Sequence, residues 1–156
     1  MLHLPEYWHA CQYPCHIGDP LHYLGKLNNI SCLQYLFNIA GVMDLSRSDL
    51  LSVDTEKMLH CFTVNAVGPL LTVQQLLLNG LLGNGTTIAN MTSKMGSIAD
   101  NSSGGAYAYR ASKAALNQIS KSMSIDLKDQ GMTVVILHPG EKLLPNIVMS
   151  QLSSTP

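Results

Sequence analysis

The sequence predicts an α/β fold in which a parallel sheet is joined by crossover helices. Three short apolar runs are separated by two long helical patterns, and turn residues stand at the boundaries. The order strand, helix, strand, helix, strand is typical of a parallel sheet covered by helices in layers. A chain of 156 residues has room for one such domain with one core.

The first predicted strand is the apolar run 33–37, and the turn 38–41 ends it. A helix is predicted to begin after Asp54, which is a good N-cap residue, and to stop at 83–85. Its apolar positions recur near the helical period and are predicted to form the buried stripe. These positions are Met58, Leu59, Phe62, Ala66, Leu70, Val73, Leu77 and Leu81.

The remaining elements are a second strand at 86–91, a second helix at 107–129 and a third strand at 133–137. The third strand is apolar at consecutive positions, as a strand covered on both faces should be. The second helix is expected to bury one apolar stripe. That stripe consists of Ala111, Ala115, Leu116, Ile119, Met123 and Leu127.

Composition narrows the classes of partner. Charged residues make up 12% of the chain, against about 25% in an average protein, which favours burial of some surface by another segment or partner. The net charge is -1 and no basic cluster is present, so nucleic acid is not expected as a partner. No apolar run reaches the roughly 20 residues of a membrane helix, so no membrane contact is expected. No disulfide framework or secretory signal is evident, which predicts a cytoplasmic protein.

The chain is predicted to divide into three parts. Residues 1–25 form an irregular segment foreign to the domain, 26–140 carry the domain, and 141–156 form a divergent tail. The first segment raises the alternative of metal binding by its closely spaced thiols and imidazoles. Because no second ligand pair follows at zinc spacing, no metal site is predicted. The residues concerned are His9, Cys11, Cys15 and His16.

Tyr109 and Lys113 are four residues apart in the second helix and therefore share one face. A free tyrosine has a pKa of about 10, and a nearby ammonium stabilises the phenolate. The pair is thus a compact way to build a proton donor and acceptor. Taken alone the spacing is common, and it usually marks a surface tyrosine beside a solvated lysine.

Other residues accompany this pair in a fixed order. Ser93 follows the second strand, Asn65 lies in the first helix, and 38–41 and 139–140 end the first and third strands. Pro69 has no N–H to bond the carbonyl of Asn65, so that carbonyl can hold a water. The ordered set resembles the short-chain dehydrogenase/reductase family from about residue 26 to 140. The run GSIADNSSGGAYAYRASKAALNQ is most similar to the branch with C-factor and sniffer-type carbonyl reductases.

The resemblance implies a partial Rossmann-like three-layer fold and a catalytic role for four residues. Tyr109 would be the acid/base, and Lys113 would hold the ribose hydroxyls of the nicotinamide half of NAD or NADP. Ser93 would hydrogen-bond the substrate carbonyl or hydroxyl, with Ser97 as the second candidate. Asn65 would anchor a water in the proton relay.

The resemblance also implies that several strand-end residues contact the cofactor. These are Asn38, Ala40, Gly41, Pro139 and Gly140, in addition to Lys113. Ile39 replaces an asparagine of the family's turn, which removes one bracing contact. Arg110 and Ser112 are expected to point elsewhere and to be structural, and His138 to be a hydrogen-bonded strand-end histidine.

One part of the family pattern is missing. The family begins with a strand, a Gly-rich turn and a helix that bind the pyrophosphate, whereas Gly18 and Gly25 are isolated. The N-terminal strands are therefore expected to be missing, which leaves 33–37 as a sheet edge. Two functions remain open. One is an NAD(P)-dependent oxidoreductase acting on a carbonyl or alcohol; the other is an impaired, truncated member that forms homodimers through its two long helices.

Overall fold

The computed structural model describes residues 32–43 and 49–139. Three strands, β1 (Tyr35–Asn38), β2 (Thr87–Met91) and β3 (Thr133–Leu137), form a parallel sheet in the order β1-β2-β3. The predicted parallel α/β arrangement is confirmed. Gly140 and the segments predicted as an irregular start and a divergent tail lie outside the described residues.

The first helical region has three parts: α1 (Thr55–Phe62), a π-helical turn (Thr63–Val67) and α2 (Gly68–Leu78). The Asp54 carboxylate accepts a hydrogen bond from the Lys57 N–H at 2.8 Å, so the predicted N-cap is confirmed. In the π-helical turn the N–H of Gly68 bonds the carbonyl of Thr63. Pro69 explains this wider turn, because it cannot make the next α-helical hydrogen bond.

The two helical regions end earlier than predicted. The first ends at Leu78, before the expected stop at Gly83, because the chain already turns at Gly80 with φ +68°. The second helix, α3 (Tyr107–Asp126), gives way to a 3₁₀ turn (Lys128–Gln130) instead of continuing to 129. Such tightening of a last turn is common at helix ends.

The predicted buried stripes are correct in part: Ala66, Val73 and Leu81 are buried in or after the first helical region, and Leu116, Met123 and Leu127 in or after the second helix. In the first helical region Leu59, Phe62 and Leu70 are exposed, and Ala111 is exposed in α3. The π-helical turn adds a residue to one turn and so rotates the faces before and after it. In both helical regions the buried face also carries polar residues, so the spacing of apolar residues in the sequence does not mark the whole buried face. The buried residues are Cys61, Asn65, Ala66, Pro69, Val73 and Leu76 in the first region, and Ala108, Ser112, Lys113, Leu116, Ser120 and Met123 in α3.

The apolar core lies where the strands begin and the helices end. Its centre is Ile88 of β2, which is fully buried. The side chains around it are all apolar, and together they form what we call the amino-end cluster. Its members are Val73, Leu76, Leu81, Leu82, Ile88, Met123, Leu127 and Met132.

The stretch Thr55–Leu78 also meets the length and composition criteria for a membrane-spanning helix, with a mean hydropathy of 1.4 over 18 residues. The expectation that no segment meets them is therefore wrong. The core helices of globular proteins meet the same two criteria. Here α1 and the π-helical turn pack against α3, and Asn65 and Ala66 are completely buried.

Candidate active site

The residues predicted to be catalytic meet at the carboxyl ends of the strands. After β2 the chain makes a 3₁₀ turn (Lys94–Gly96), and this turn packs against α3. A Cβ atom on Gly96 would lie 2.9 Å from both the carbonyl carbon and the Cβ of Lys113. The turn and the helix therefore touch through their backbones, and glycine is the residue that permits it.

Lys113 is the central charged group of the site. Its side chain is 3% exposed, and Nζ donates a hydrogen bond to the Met91 carbonyl at 2.8 Å. Burial lowers the pKa of Lys113 to about 8, since leaving water disfavours the ammonium.

Tyr109 lies in the first turn of α3 and is half-buried. The Lys113 ammonium is 5.8 Å from the centre of its ring, within the range of a cation–π contact. The predicted shared face of the two residues is confirmed. The residue before the helix, Ala106, has φ +49° and provides no side-chain cap.

Asn65 is fully buried and makes three hydrogen bonds through its side chain. Nδ2 donates to the Val42 carbonyl and to Ser112 Oγ, both at 2.9 Å, and Oδ1 accepts from the Val42 N–H at 2.8 Å. Ser112 Oγ in turn donates to the Tyr109 carbonyl at 2.8 Å. Asn65 thus links the loop after β1 to the turn of α3 that carries Tyr109.

The role of Ser112 was missed by the sequence analysis, which expected it to point elsewhere. It is structural as predicted, but it points into the site and is completely buried. The available signal was its position three residues after Tyr109, since a serine can bond a carbonyl one turn back. The relay role predicted for the Asn65 carbonyl stays a prediction.

Ser93 is half-buried directly after β2, in the position predicted for it. Its Oγ accepts a hydrogen bond from the Met95 N–H at 3.2 Å, which leaves its hydroxyl proton for another acceptor. Ser97 Oγ accepts from the Asp100 N–H at 3.2 Å and belongs to the following loop. Within the described residues, no hydrogen bond joins Ser93 to Tyr109.

Two further side chains hold the segment around Ser93. His138 Nδ1 accepts a hydrogen bond from the Lys94 N–H at 3.2 Å, which confirms the expected hydrogen-bonded strand-end histidine. Arg110 donates from Nη1 to the Met95 carbonyl at 3.4 Å and from Nη2 to Ser103 Oγ at 2.9 Å. The structural role predicted for Arg110 is therefore the bracing of the loop.

The residues at the end of β1 that were predicted to contact the cofactor differ in what their side chains touch. Asn38 braces the sheet: its Nδ2 donates to Asn90 Oδ1, and Asn90 donates to Ser120 Oγ, both at 2.8 Å. Gly41 faces the site, since a Cβ there would lie 3.3 Å from Lys113 Nζ. Ala40 is exposed on the connecting loop.

From β3, Pro139 is half-buried at the end of the described residues. The four residues proposed as an alternative metal site near the start of the chain lie outside those residues.

Several buried polar side chains lie toward the carboxyl ends of the strands, and we call them the carboxyl-end network. Its members are Asn65, Asn90, Ser112, Lys113 and Ser120. Within the described residues, Lys113 Nζ has one hydrogen-bond partner, so two N–H groups of the ammonium remain for a ligand. A pair of vicinal hydroxyls, as on a ribose, fits these two N–H donors. Gly41, which is exposed beside Nζ, has no side chain to occupy the same space.

Comparisons with known proteins agree with this arrangement. The sequence profile of the short chain dehydrogenase family matches residues 25–151. C-signal from Myxococcus xanthus is 49% identical over 105 residues, which are 67% of this chain and 63% of that protein. The 1-hydroxy-2-glutathionyl-2-methyl-3-butene dehydrogenase of Rhodococcus sp. is 39% identical over 108 residues, covering 69% of this chain and 46% of that protein.

Solved structures of other proteins have the same fold as the described part of this chain. Carbonyl reductase Sniffer of D. melanogaster superposes with a TM-score of 0.66 at 34% identity, covering 76% of this chain and 52% of that one. The NADPH-bound carbonyl reductase from chicken fatty liver superposes with a TM-score of 0.66 at 31% identity, and the match covers 76% of this chain and 50% of that one.

This chain spans about half to two thirds of the length of these relatives. The family profile nevertheless matches most of it. The chain therefore belongs to the short-chain dehydrogenase family.

Proposed function

We propose that the protein is an NAD(P)-dependent oxidoreductase that interconverts a carbonyl and an alcohol. The observation that carries the proposal is the buried Lys113 ammonium, which lies against the Tyr109 ring with two N–H groups left for a ligand. The nicotinamide, when bound, supplies or accepts the hydride. The rest of the chemistry falls to side chains of this chain.

In the direction of reduction, the Tyr109 hydroxyl donates a proton to the substrate oxygen. The Ser93 hydroxyl donates a hydrogen bond to the same oxygen and so fixes its position. Lys113 binds the ribose hydroxyls through its two remaining N–H groups and places its positive charge beside the ring of Tyr109. The side chain of Asn65 holds the loop after β1 against α3, and its carbonyl binds a relay water.

The names of similar proteins support this proposal. Dehydrogenases and carbonyl reductases are among them, and several solved relatives are described as bound to NADPH or NADP. For this chain we propose a small carbonyl or alcohol substrate and NAD or NADP as cofactor. The residues proposed to contact the cofactor, besides Lys113, are Asn38, Ala40, Gly41, Pro139 and Gly140. We also propose a cytoplasmic location. The domain division at residues 25/26 and 140/141 also stays a proposal.

A homodimer is proposed as well. Leu59, Phe62 and Leu70 expose large parts of their side chains on the first helical region, and Ile125 does so on α3. Such a set of exposed apolar side chains is typical of a surface that another chain covers. A well-folded monomer in size-exclusion chromatography at micromolar concentration would contradict this proposal.

The activity is tested by cofactor binding and turnover of the purified chain. We expect saturable binding of NADPH or NADH at millimolar concentration or below, and oxidation of the reduced cofactor when simple aldehydes and ketones are added. The Tyr109→Phe variant removes only the hydroxyl and should lower kcat by at least 10²-fold while cofactor binding persists. Tyr107→Phe is the matched control, because Tyr107 is 40% exposed on the same helix, and it should keep wild-type kcat.

Failure to bind either nucleotide would exclude this activity for the chain. The alternative of an impaired family member would then hold, with dimerisation as its remaining role. Equal loss of kcat in both tyrosine variants would instead contradict the assignment of Tyr109.

A further inference from the structure

We propose that Asn117 is a positioning residue for Ser93: its side chain ties both the residue before Ser93 and the turn after it to the helix that carries Tyr109. The proposal rests on the proposed function, in which Ser93 and Tyr109 contact the same substrate oxygen. The two hydroxyls belong to different elements, the end of β2 and the start of α3. Their separation therefore depends on how these two elements are joined.

Asn117 lies on the face of α3 that carries the predicted catalytic pair. Tyr109, Lys113 and Asn117 follow one another at intervals of four residues. Side chains at that spacing lie on the same side of a helix, one turn apart. Asn117 is half-buried, and α3 packs against the 3₁₀ turn that follows Ser93. The amide is therefore placed to bond the segment that contains Ser93.

The Asn117 amide makes a hydrogen bond at each of its two polar atoms. Oδ1 accepts from the Thr92 hydroxyl at 2.5 Å, and Nδ2 donates to the Gly96 carbonyl at 3.4 Å. Thr92 directly precedes Ser93 and is buried. Gly96 closes the turn after Ser93, since its N–H donates to the Ser93 carbonyl at 2.9 Å. One side chain of α3 thus holds both ends of the segment in which Ser93 lies.

These two partners allow one orientation of the amide. If its ends were exchanged, Oδ1 would face the Gly96 carbonyl, and two acceptors cannot hydrogen-bond each other. Asparagine suits the position because it carries one acceptor and one donor group on a short, planar side chain. A leucine can fill a similar space, but it can bond neither Thr92 nor Gly96.

Other contacts hold the segment on the carboxyl side of Ser93. The backbone of Gly96 touches that of α3, and Arg110 donates from Nη1 to the Met95 carbonyl at 3.4 Å. Both contacts remain when the bond to Thr92 is removed, so the turn stays attached to the helix. The effects expected from that removal are therefore moderate.

On the amino side, the bond from Thr92 to Asn117 is, within the described residues, the hydrogen bond to α3 nearest to Ser93. The Thr92 N–H bonds the Leu137 carbonyl at 2.8 Å, which fixes Thr92 relative to β3. That bond runs within the sheet and does not set the distance between strand and helix. The Thr92 hydroxyl bonds the helix itself, so it sets this distance where the strand ends.

The first test measures hydrogen exchange of backbone amides in ¹⁵N-labelled full-length protein. The Gly96 N–H reports on the segment because it bonds the Ser93 carbonyl. Its protection should fall about tenfold in Asn117→Leu and about fivefold in Thr92→Val, the size of effect expected from losing one hydrogen bond. The Thr133 amide, at the other end of the sheet, is the internal reference and should not change.

Matched variants separate the hydrogen bond from the packing. Thr92→Ser keeps the hydroxyl and should restore the wild-type protection of the Gly96 amide, whereas Thr92→Val keeps the branched shape without the hydroxyl. Gln118→Leu is the control for Asn117→Leu, because Gln118 is an exposed amide on the same helix, and it should leave the Gly96 amide unchanged. If Asn117→Leu does not fold, the two variants at Thr92 still decide the question.

The second test measures turnover in an active preparation. Displacement of Ser93 should lower kcat about fivefold in Thr92→Val and about tenfold in Asn117→Leu. The Kd for NADPH should not change, because Lys113 and Gly41 are retained. The double variant should lose about tenfold, since both changes remove one shared bond, whereas independent effects would multiply to about fiftyfold. A role in stability alone would leave the kcat of the folded variants unchanged.

Wild-type protection of the Gly96 amide in Thr92→Val, or an equal loss of protection in Thr92→Ser, would overturn the proposal. A kcat that is unchanged in Thr92→Val, or a loss of about fiftyfold in the double variant, would contradict the link to catalysis through the shared bond. The exchange measurements need neither cofactor nor turnover. A chain that fails to bind nucleotide therefore contradicts the proposed function and leaves these measurements unaffected.

Discussion

At the amino end of the sheet Thr86 is a buried polar side chain among apolar ones, whereas buried polar side chains are more frequent toward the carboxyl end, beneath the same two helical regions. The amino-end cluster is entirely apolar, whereas the carboxyl-end network consists of amides, hydroxyls and one ammonium. Apolar burial stabilises without regard to direction and scales with area. Buried hydrogen bonds add little net stability but fix orientation, because each group needs its partner.

The comparison indicates a division of labour along the strands. Burial of the amino-end cluster stabilises the fold through its apolar area. At the carboxyl end, burial of polar groups and of a cation costs free energy, and the hydrogen bonds of these groups hold Tyr109 and Lys113 in place. Substitutions at the two ends should therefore differ in how stability and function respond.

The largest effect on stability is expected in the amino-end cluster. Ile88→Ala removes a fully buried side chain and should lower the free energy of unfolding by about 2–5 kcal/mol, because it leaves a cavity among packed neighbours. Urea denaturation measures this change. Ile98→Ala is the control, since Ile98 is 89% exposed and should change stability by less than about 0.5 kcal/mol. Equal effects in both variants would contradict the assigned core.

A smaller effect, and one that depends on pH, is expected at Lys113. The pKa of Lys113 is lowered from 10.5 to about 8 in the folded protein. Between these values the unfolded chain binds a proton that the folded chain does not, so stability rises with pH through this window and is flat below it. A shift of this size corresponds to about 3 kcal/mol.

The variant Lys113→Met should lack this rise, which denaturant unfolding at pH 7.5, 9 and 10.5 measures. Lys121→Met is the matched control, since Lys121 is exposed on the same helix and should keep the rise. A rise that persists in Lys113→Met would mean that another group is its source.

The smallest effect is expected at Ser112. Ser112→Ala removes an acceptor from Asn65 and a donor to the Tyr109 carbonyl, and should lower the free energy of unfolding by about 1–2 kcal/mol. Ser124→Ala is the control, because Ser124 Oγ donates to the Lys121 carbonyl at 2.7 Å in the same local geometry without a buried amide. A loss in Ser112→Ala no greater than in Ser124→Ala would show that the link to Asn65 contributes nothing.

The sequence predicted the strands and the parallel order well, because β2 and β3 are short, apolar and bounded by turn residues. It also placed Tyr109 on one face with Lys113, since their spacing alone determines that. The buried faces of the helices were predicted only in part, since Leu59, Phe62, Leu70 and Ala111 are exposed. Ser112 and Ser120 occupy buried positions in line with Leu116, and a period of apolar residues cannot reveal polar side chains that tertiary partners satisfy.

The contacts between elements were also beyond sequence reasoning. Nothing in the local pattern indicates that Asn65 bonds Val42 or that His138 bonds the turn after Ser93, because both contacts depend on how distant segments pack. The π-helical turn is an intermediate case. Pro69 signals an interrupted helix, but it does not say whether the helix bends, ends or widens.

The backbone contact at Gly96 has a practical consequence for directed evolution of substrate preference. Any side chain at position 96 pushes the catalytic helix away from the turn, so a randomised codon there would fill a library with inactive clones. The loop beyond it offers a safer region for diversity: Ile98 is 89% exposed, and residues 99–103 are exposed as well. A library that fixes 96 and varies 98–102 would change this exposed loop while the backbone contact between the turn and α3 is kept.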